Sequence, residues 1–150
     1  MKDGHGGVTL GSECSGDIRN VFAQDCRMDS PHLDRVLRIK TNAVRGGVIE
    51  NVYMRNVQVG QVAAAAIEID FLYEEGAGGK FLPVVRHIEV ESLRCRSSQT
   101  ALSLRGFEDA PIQDVRLRHC TFEHTERANI IENVRGLSLE DVRINGQIVT

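Results

Sequence analysis

The sequence predicts an all-β solenoid, a parallel β-helix of about five coils, on three observations. Helical periodicity is weak throughout, while short alternating runs of Val, Ile and Leu are broken by Asn, Asp and Gly. Five of the runs superimpose: IRNVFAQDCRM from Ile18, IENVYMRNVQV from Ile49, VRHIEVESLRC from Val85, IQDVRLRHCTF from Ile112 and VRGLSLEDVRI from Val134. Counted from the first residue of each, offsets 0, 3, 5, 8 and 10 are apolar in all five, 25 positions of 25, so the two-residue alternation breaks twice at the same places in every unit. Self-similarity of this kind marks a repeat architecture, and here the unit contains only strands.

The two breaks fall beside residues that favour turns or a left-handed backbone. Offset 2 is Asn20, Asn51, His87, Asp114 or Gly136, and offset 7 is Asp25, Asn56, Ser92, His119 or Asp141. Each unit therefore reads as strand, bend, strand, bend. The starts lie 31, 36, 27 and 22 residues apart, with the variation in the connections. A second strand set fits between the runs: VTL at Val8, LRI at Leu37, IEI at Ile67, LSL at Leu102 and, more weakly, NII at Asn129. Coils stacked at roughly 4.8 Å would make a rod on the order of 25 Å long with the apolar ladders lining its bore. A β-sandwich also has recurring strands and turns, but does not require the same two phase breaks in every unit.

The 150 residues suit one domain, 1–150, with 41% hydrophobic and 26% charged residues. No apolar run approaches the roughly 18 residues of a membrane span, and no basic-then-apolar signal peptide opens the chain. A net charge of −3 recruits neither nucleic acid nor an anionic membrane. Aromatic residues are 5% and Trp is absent, so stacking platforms must come from few residues. The cysteines lack CxxC spacing. Cys26 and Cys120 at offset 8 and Cys95 at offset 10 are ladder positions, where Cys behaves as a small hydrophobe. His119, Cys120 and His124 are close in sequence, but Cys120 points into the bore, which argues against zinc; no metal or cofactor is expected.

Met1 fits offset 10 of a unit whose earlier positions are absent, so the chain is expected to be the C-terminal part of a longer β-helix, truncated at its N-terminal end. A solenoid needs covered ends, and an open end is expected to pair with a second copy end to end or to make the chain aggregate.

Chemistry concentrates on the second strand set. Superposing it puts Thr9, Arg38, Glu68 and Ser103 in one outward column and Gly11, Lys40, Asp70 and Arg105 in the next. Arg38 and Lys40 project together from one strand, near His5 in its glycine-rich approach, GHGG. A guanidinium beside an ammonium suits an anionic ligand, and Arg can grip a carboxylate with two hydrogen bonds. The same stacking offers Glu68 to Arg38 and Asp70 to Lys40 as surface ion pairs, each worth under about 1 kcal/mol, so spacing alone leaves both readings open.

GHG followed by GS, then RIK with Arg38 thirty-three residues after His5, with the flanking text RNVFAQDCRMDSP and RGGVIENVYMRNV, resembles the polygalacturonases of glycoside hydrolase family 28, bacterial branch, over essentially the whole chain. The resemblance implies a right-handed parallel β-helix that cleaves α-1,4 links of galacturonic acid in pectin, with inversion and without metal. It implies a supporting role in the catalytic centre for His5, carboxylate binding for Arg38 and Lys40, and a further substrate contact for Tyr73 in FLYEEG. It implies a secreted or periplasmic parent protein. GHGGVTLGS carries one residue more than the commonest form of its motif. The family's Asn-x-Asp and Asp-Asp motifs, which precede GHG, do not occur here. Inverting hydrolysis needs a carboxylic acid and a carboxylate roughly 6.5–9.5 Å apart, so the chain alone is expected to be inactive. The competing readings are a non-catalytic β-helix that binds acidic polysaccharide or serves as scaffold, and a polysaccharide lyase, for which no Ca²⁺-binding carboxylate cluster is evident.

Overall fold

Ten left-handed residues set the path of the chain. In the computed structural model, which describes residues 2–150, the offset-2 positions Asn20, Asn51, His87, Asp114 and Gly136 and the offset-7 positions Asp25, Asn56, Ser92, His119 and Asp141 all have φ between 49° and 75°. That region is costly for most L-residues and least so for Gly, Asn and Asp, which hold seven of the ten places. Each such residue bends the strand without ending it. The five runs are thus long kinked strands: β2 (Asp17–Met28), β4 (Val48–Gln61), β6 (Val84–Ser98), β8 (Ile112–Thr125) and β10 (Val134–Ile144). The shorter set is β1 (Val8–Leu10), β3 (Leu37–Lys40), β5 (Ala65–Asp70), β7 (Thr100–Arg105) and β9 (Ile130–Glu132), and β11 (Gln147–Val149) follows β10. No helix among the described residues is long and apolar enough to cross a membrane.

The strands form two sheets, ordered β1-β3-β5-β7-β9 and β11-β10-β8-β6-β4-β2. Every pairing is parallel except β10 with β11. Register follows the sequence superposition residue for residue: Val52 lies between Val21 and Ile88, and Leu117 between Val90 and Leu139. In the short sheet Ile67 lies between Leu37 and Leu102, and Ile131 stands beside Leu104, which places the weak NII match correctly. The chain is a right-handed parallel β-helix, and a two-layer sandwich is ruled out by the parallel ladders.

The bore is driest in the middle. Ile49, Val52, Met54, Val57 and Val59 of β4 are 0–3% exposed, and their counterparts in β6 and β8 are buried as fully. In β2 only Met28 of the five is buried, while Ile18, Val21, Ala23 and Cys26 stay partly exposed at an edge with no neighbouring strand among the described residues. At the other end β11 folds back on β10 across an Asn145–Gly146 turn with both φ positive, a preferred hairpin connection. The placement expected for Met1 lies outside the described residues. Cys95 and Cys120 are buried core residues, as their ladder offsets require; burial pushes the Cys95 thiol up to about 11 and raises that of Cys120 as well.

Candidate functional site

Strand alternation builds the site. Leu37 and Ile39 of β3 are fully buried in the bore, so Arg38 and Lys40 must stand on the outer face of the same four-residue strand. Arg38 lies in register between Thr9 and Glu68, and Lys40 opposite Asp70. Of the two surface ion pairs that this register offers, one forms. Arg38 donates from Nε to Glu68 Oε1 at 3.2 Å, and both side chains are only 11% exposed. Among the described residues Lys40 makes no ion pair with Asp70, whose Oδ1 accepts instead from the Leu72 amide at 2.9 Å.

Lys40 is committed elsewhere. Its ammonium lies 4.3 Å from the centre of the Tyr73 ring, and the Arg38 guanidinium carbon lies 5.5 Å from the same point. Contacts of this kind contribute about 0.5–1 kcal/mol at exposed sites. Tyr73 is held for the purpose by its neighbours. Phe71 is fully buried and packs edge-on against Phe107, which anchors the end of β5. Asn42, 1% exposed, donates to the Tyr73 carbonyl at 3.2 Å and to Glu75 Oε2 at 2.9 Å, while its Oδ1 accepts from the Val44 and Arg45 amides. One buried amide thereby ties together the loops that follow β3 and β5.

His5 stands in an exposed loop laid tightly on β3. A Cβ on Gly6 would come within 2.3 Å of Thr9 Oγ1 and 3.3 Å of Arg38 Cβ, and one on Gly11, at φ +84°, within 2.0 Å of the Lys40 carbonyl oxygen. Glycine is needed at both positions for this close approach. The His5 Nδ1 pairs with Asp34 Oδ2 at 3.0 Å, and the same oxygen meets Arg35 Nη1 at 3.3 Å. Arg35 Nε in turn lies 2.8 Å from Glu68 Oε1, an ion pair whose N–H is not aligned as a hydrogen bond. The contacts that join His5 to Arg38 thus run through Asp34, Arg35 and Glu68.

Sequence reasoning placed Glu68 beside Arg38 but missed Asp34 and Arg35. Their position depends on two backbone bonds, Gly4 N to the His32 carbonyl at 3.0 Å and Asp34 N to the Gly4 carbonyl at 2.9 Å, which bring an irregular connection against the His5 loop. Such cross-coil docking leaves no periodic trace. A broad surface groove lies elsewhere, on the face where Arg27, Gln58 and Arg94 form an outward column.

A parallel β-helix that carries two strand-borne cations against one aromatic ring, beside a glycine-framed histidine, defines the class. The profile of Glycosyl hydrolases family 28 matches residues 1–143, and the chain belongs to that family. It is 25% identical over 139 residues to a probable polygalacturonase of Vitis vinifera, covering 87% of this chain and 28% of that protein. Among solved structures it is similar to a hyperthermoactive exopolygalacturonase from Thermotoga maritima, with a TM-score of 0.89 and 32% identity, over 95% of this chain and 31% of that one. The chain therefore spans less than a third of the length of either relative.

Proposed function

We propose that this chain carries the substrate-gripping half of a galacturonan hydrolase site, within a polygalacturonase-like protein that acts on α-1,4-galacturonosyl links of pectin by inverting hydrolysis. The observation that carries the reading is the convergence of Arg38 and Lys40 on Tyr73. A polygalacturonate chain offers a carboxylate on every residue and apolar ring faces between its hydroxyls. Glu68 holds Arg38 by Nε, and no protein acceptor meets Nη1 or Nη2 among the described residues, so the end of the guanidinium is free to take a carboxylate. Lys40 adds a second charge, and Tyr73 a flat surface. In this reading the active whole protein is secreted or periplasmic, where pectic polymers are met.

The acid and base of inverting hydrolysis are assigned outside this arrangement. Asp34 and Glu68, the carboxylates joined to His5 and Arg38, are engaged by arginine and histidine donors. We place the catalytic pair on further coils that stack on the free edge of β1 and β2, with residues 1–150 as the C-terminal part of a longer solenoid. The shares of 28% and 31% of the relatives' lengths and the half-exposed bore of β2 support that placement.

Two measurements test the reading. Titration calorimetry with galacturonate oligomers is expected to give binding that Arg38→Ala and Lys40→Ala abolish, and absence of binding at millimolar concentration would remove the substrate assignment. A reducing-sugar assay on polygalacturonate with the 150-residue chain is expected to show no turnover; clear turnover would sink the division of the site between coils.

A further inference from the structure

The geometry points to Asp34 and Glu68 as positioning residues, coupled through Arg35, that set the proton on His5 and the orientation of Arg38. The inference rests on the proposed site and goes beyond it by assigning roles to three residues outside its motifs.

The argument begins at His5. A carboxylate can only accept, so the 3.0 Å contact between Asp34 Oδ2 and His5 Nδ1 requires the hydrogen on Nδ1. A neutral ring held in this way keeps its lone pair on Nε2, for which no protein partner is present among the described residues. Free imidazole side chains favour the opposite tautomer, with hydrogen on Nε2, so Asp34 is needed to reverse the preference. The His5 side chain is 87% exposed, and no packing around it could select a tautomer in place of that bond.

Asp34 is itself placed by Arg35. The Arg35 side chain is 19% exposed, and it spans the two carboxylates, with Nη1 3.3 Å from Asp34 Oδ2 and Nε 2.8 Å from Glu68 Oε1. Glu68, 11% exposed on its side chain, is thereby held between two guanidiniums, and this compensates its burial. It engages Arg38 only at Nε, which fixes the plane of the guanidinium and leaves the outer nitrogens for an anion. A carboxylate-guanidinium chain of His5, Asp34, Arg35, Glu68 and Arg38 therefore keeps an exposed imidazole and a mostly buried cation in one fixed relation. Groups held by such surrounding bonds lose less freedom when they meet a substrate.

The test reads the histidine tautomer directly, by two-bond ¹H–¹⁵N correlation on the ¹⁵N-histidine-labelled chain at alkaline pH. In the wild type, His5 is expected mainly with hydrogen on Nδ1. Asp34→Ala is expected to return it to the Nε2 form, and Arg35→Ala, at a side chain with no hydrogen bond to His5, to move it part of the way. A wild-type spectrum dominated by the Nε2 form overturns the inference even if neither variant folds. An Asp34→Ala spectrum unchanged from wild type does so too, and an unchanged Arg35→Ala spectrum removes the coupling. No sugar is present in the measurement. Loss of oligomer binding in the wild type would therefore overturn the proposed function and leave the tautomer result standing.

Discussion

The Lys40 ammonium sits 4.3 Å from the centre of the Tyr73 ring, although register alone would hand it to Asp70. The ring thus organises the cation pair, since the Arg38 guanidinium carbon lies 5.5 Å from the centre of the same ring. Tyr73→Ala is expected to weaken binding of a galacturonate oligomer about two- to five-fold, the equivalent of about 0.5–1 kcal/mol. Tyr73→Phe is expected to keep most of the affinity, because the ring face survives. Arg38→Ala removes charge-assisted hydrogen bonds worth about 1.5–3 kcal/mol, so its loss is expected to exceed about tenfold. Calorimetric titration of the three variants checks the order; equal affinity of Tyr73→Ala and wild type would remove the ring from the site.

The register that brings Arg38 beside Glu68 was legible because bore residues recur at fixed offsets, and a slip of one residue would turn every ladder outward. The bends were legible because Asn, Asp and Gly tolerate left-handed backbone. The contacts of Lys40 and His5 were not, because each depends on a side chain delivered by a connection of variable length: Tyr73 from the loop after β5, Asp34 from the turn before β3. Tyr73 entered only through family resemblance. The β11 hairpin did leave a signal, the Asn145-Gly146 pair between RI and QIV, which stands outside the repeated unit.

Ser92 offers a direct test of the bends. It stands at φ +54° in β6, between coils whose equivalent residues are Asn56 and His119, and it is neither Gly, Asn nor Asp. Ser92→Gly is expected to stabilise the fold by up to about 1 kcal/mol, since glycine enters this region without steric cost. Ser92→Val, β-branched, is expected to cost about 1–2 kcal/mol. Urea unfolding midpoints of the two variants should lie on opposite sides of wild type, and the reverse order would contradict a bend set by local backbone preference.

Cys95 and Cys120 are buried, whereas Cys14 and Cys26 are partly exposed. A disulfide-exchange reagent is expected to modify the latter pair in the native protein and the former only on unfolding. Burial first, then, holds the Cys95 thiol neutral up to about 11, against an ordinary value of 9.0 in the unfolded chain. Between those values the unfolded chain has lost a proton that the native protein keeps. The stabilisation is thus complete below pH 9.0 and declines as pH rises toward about 11. Cys95→Ala should unfold with a shallower alkaline decline than wild type; identical slopes would show that this thiol is not the group responsible.

The free edge of β2 carries the last prediction. Phe22 is 73% exposed and stacks on Tyr53 with ring centres 5.1 Å apart and planes 15° from parallel. Among the described residues the stack has no member on the far side of Phe22, and beneath it Ile18, Val21, Ala23 and Cys26 are only partly covered, along the outermost strand of the sheet. Long edges of this kind recruit strands from other molecules. In the isolated chain a second copy, placed edge to edge with the first, is the expected occupant. Light scattering is expected to show a mass that rises with concentration. Phe22→Lys, which removes the exposed ring and adds a charge where an incoming edge would lie, is expected to shift the equilibrium toward monomer. A wild-type chain that stays monomeric across the accessible concentration range would mean that this edge is not adhesive.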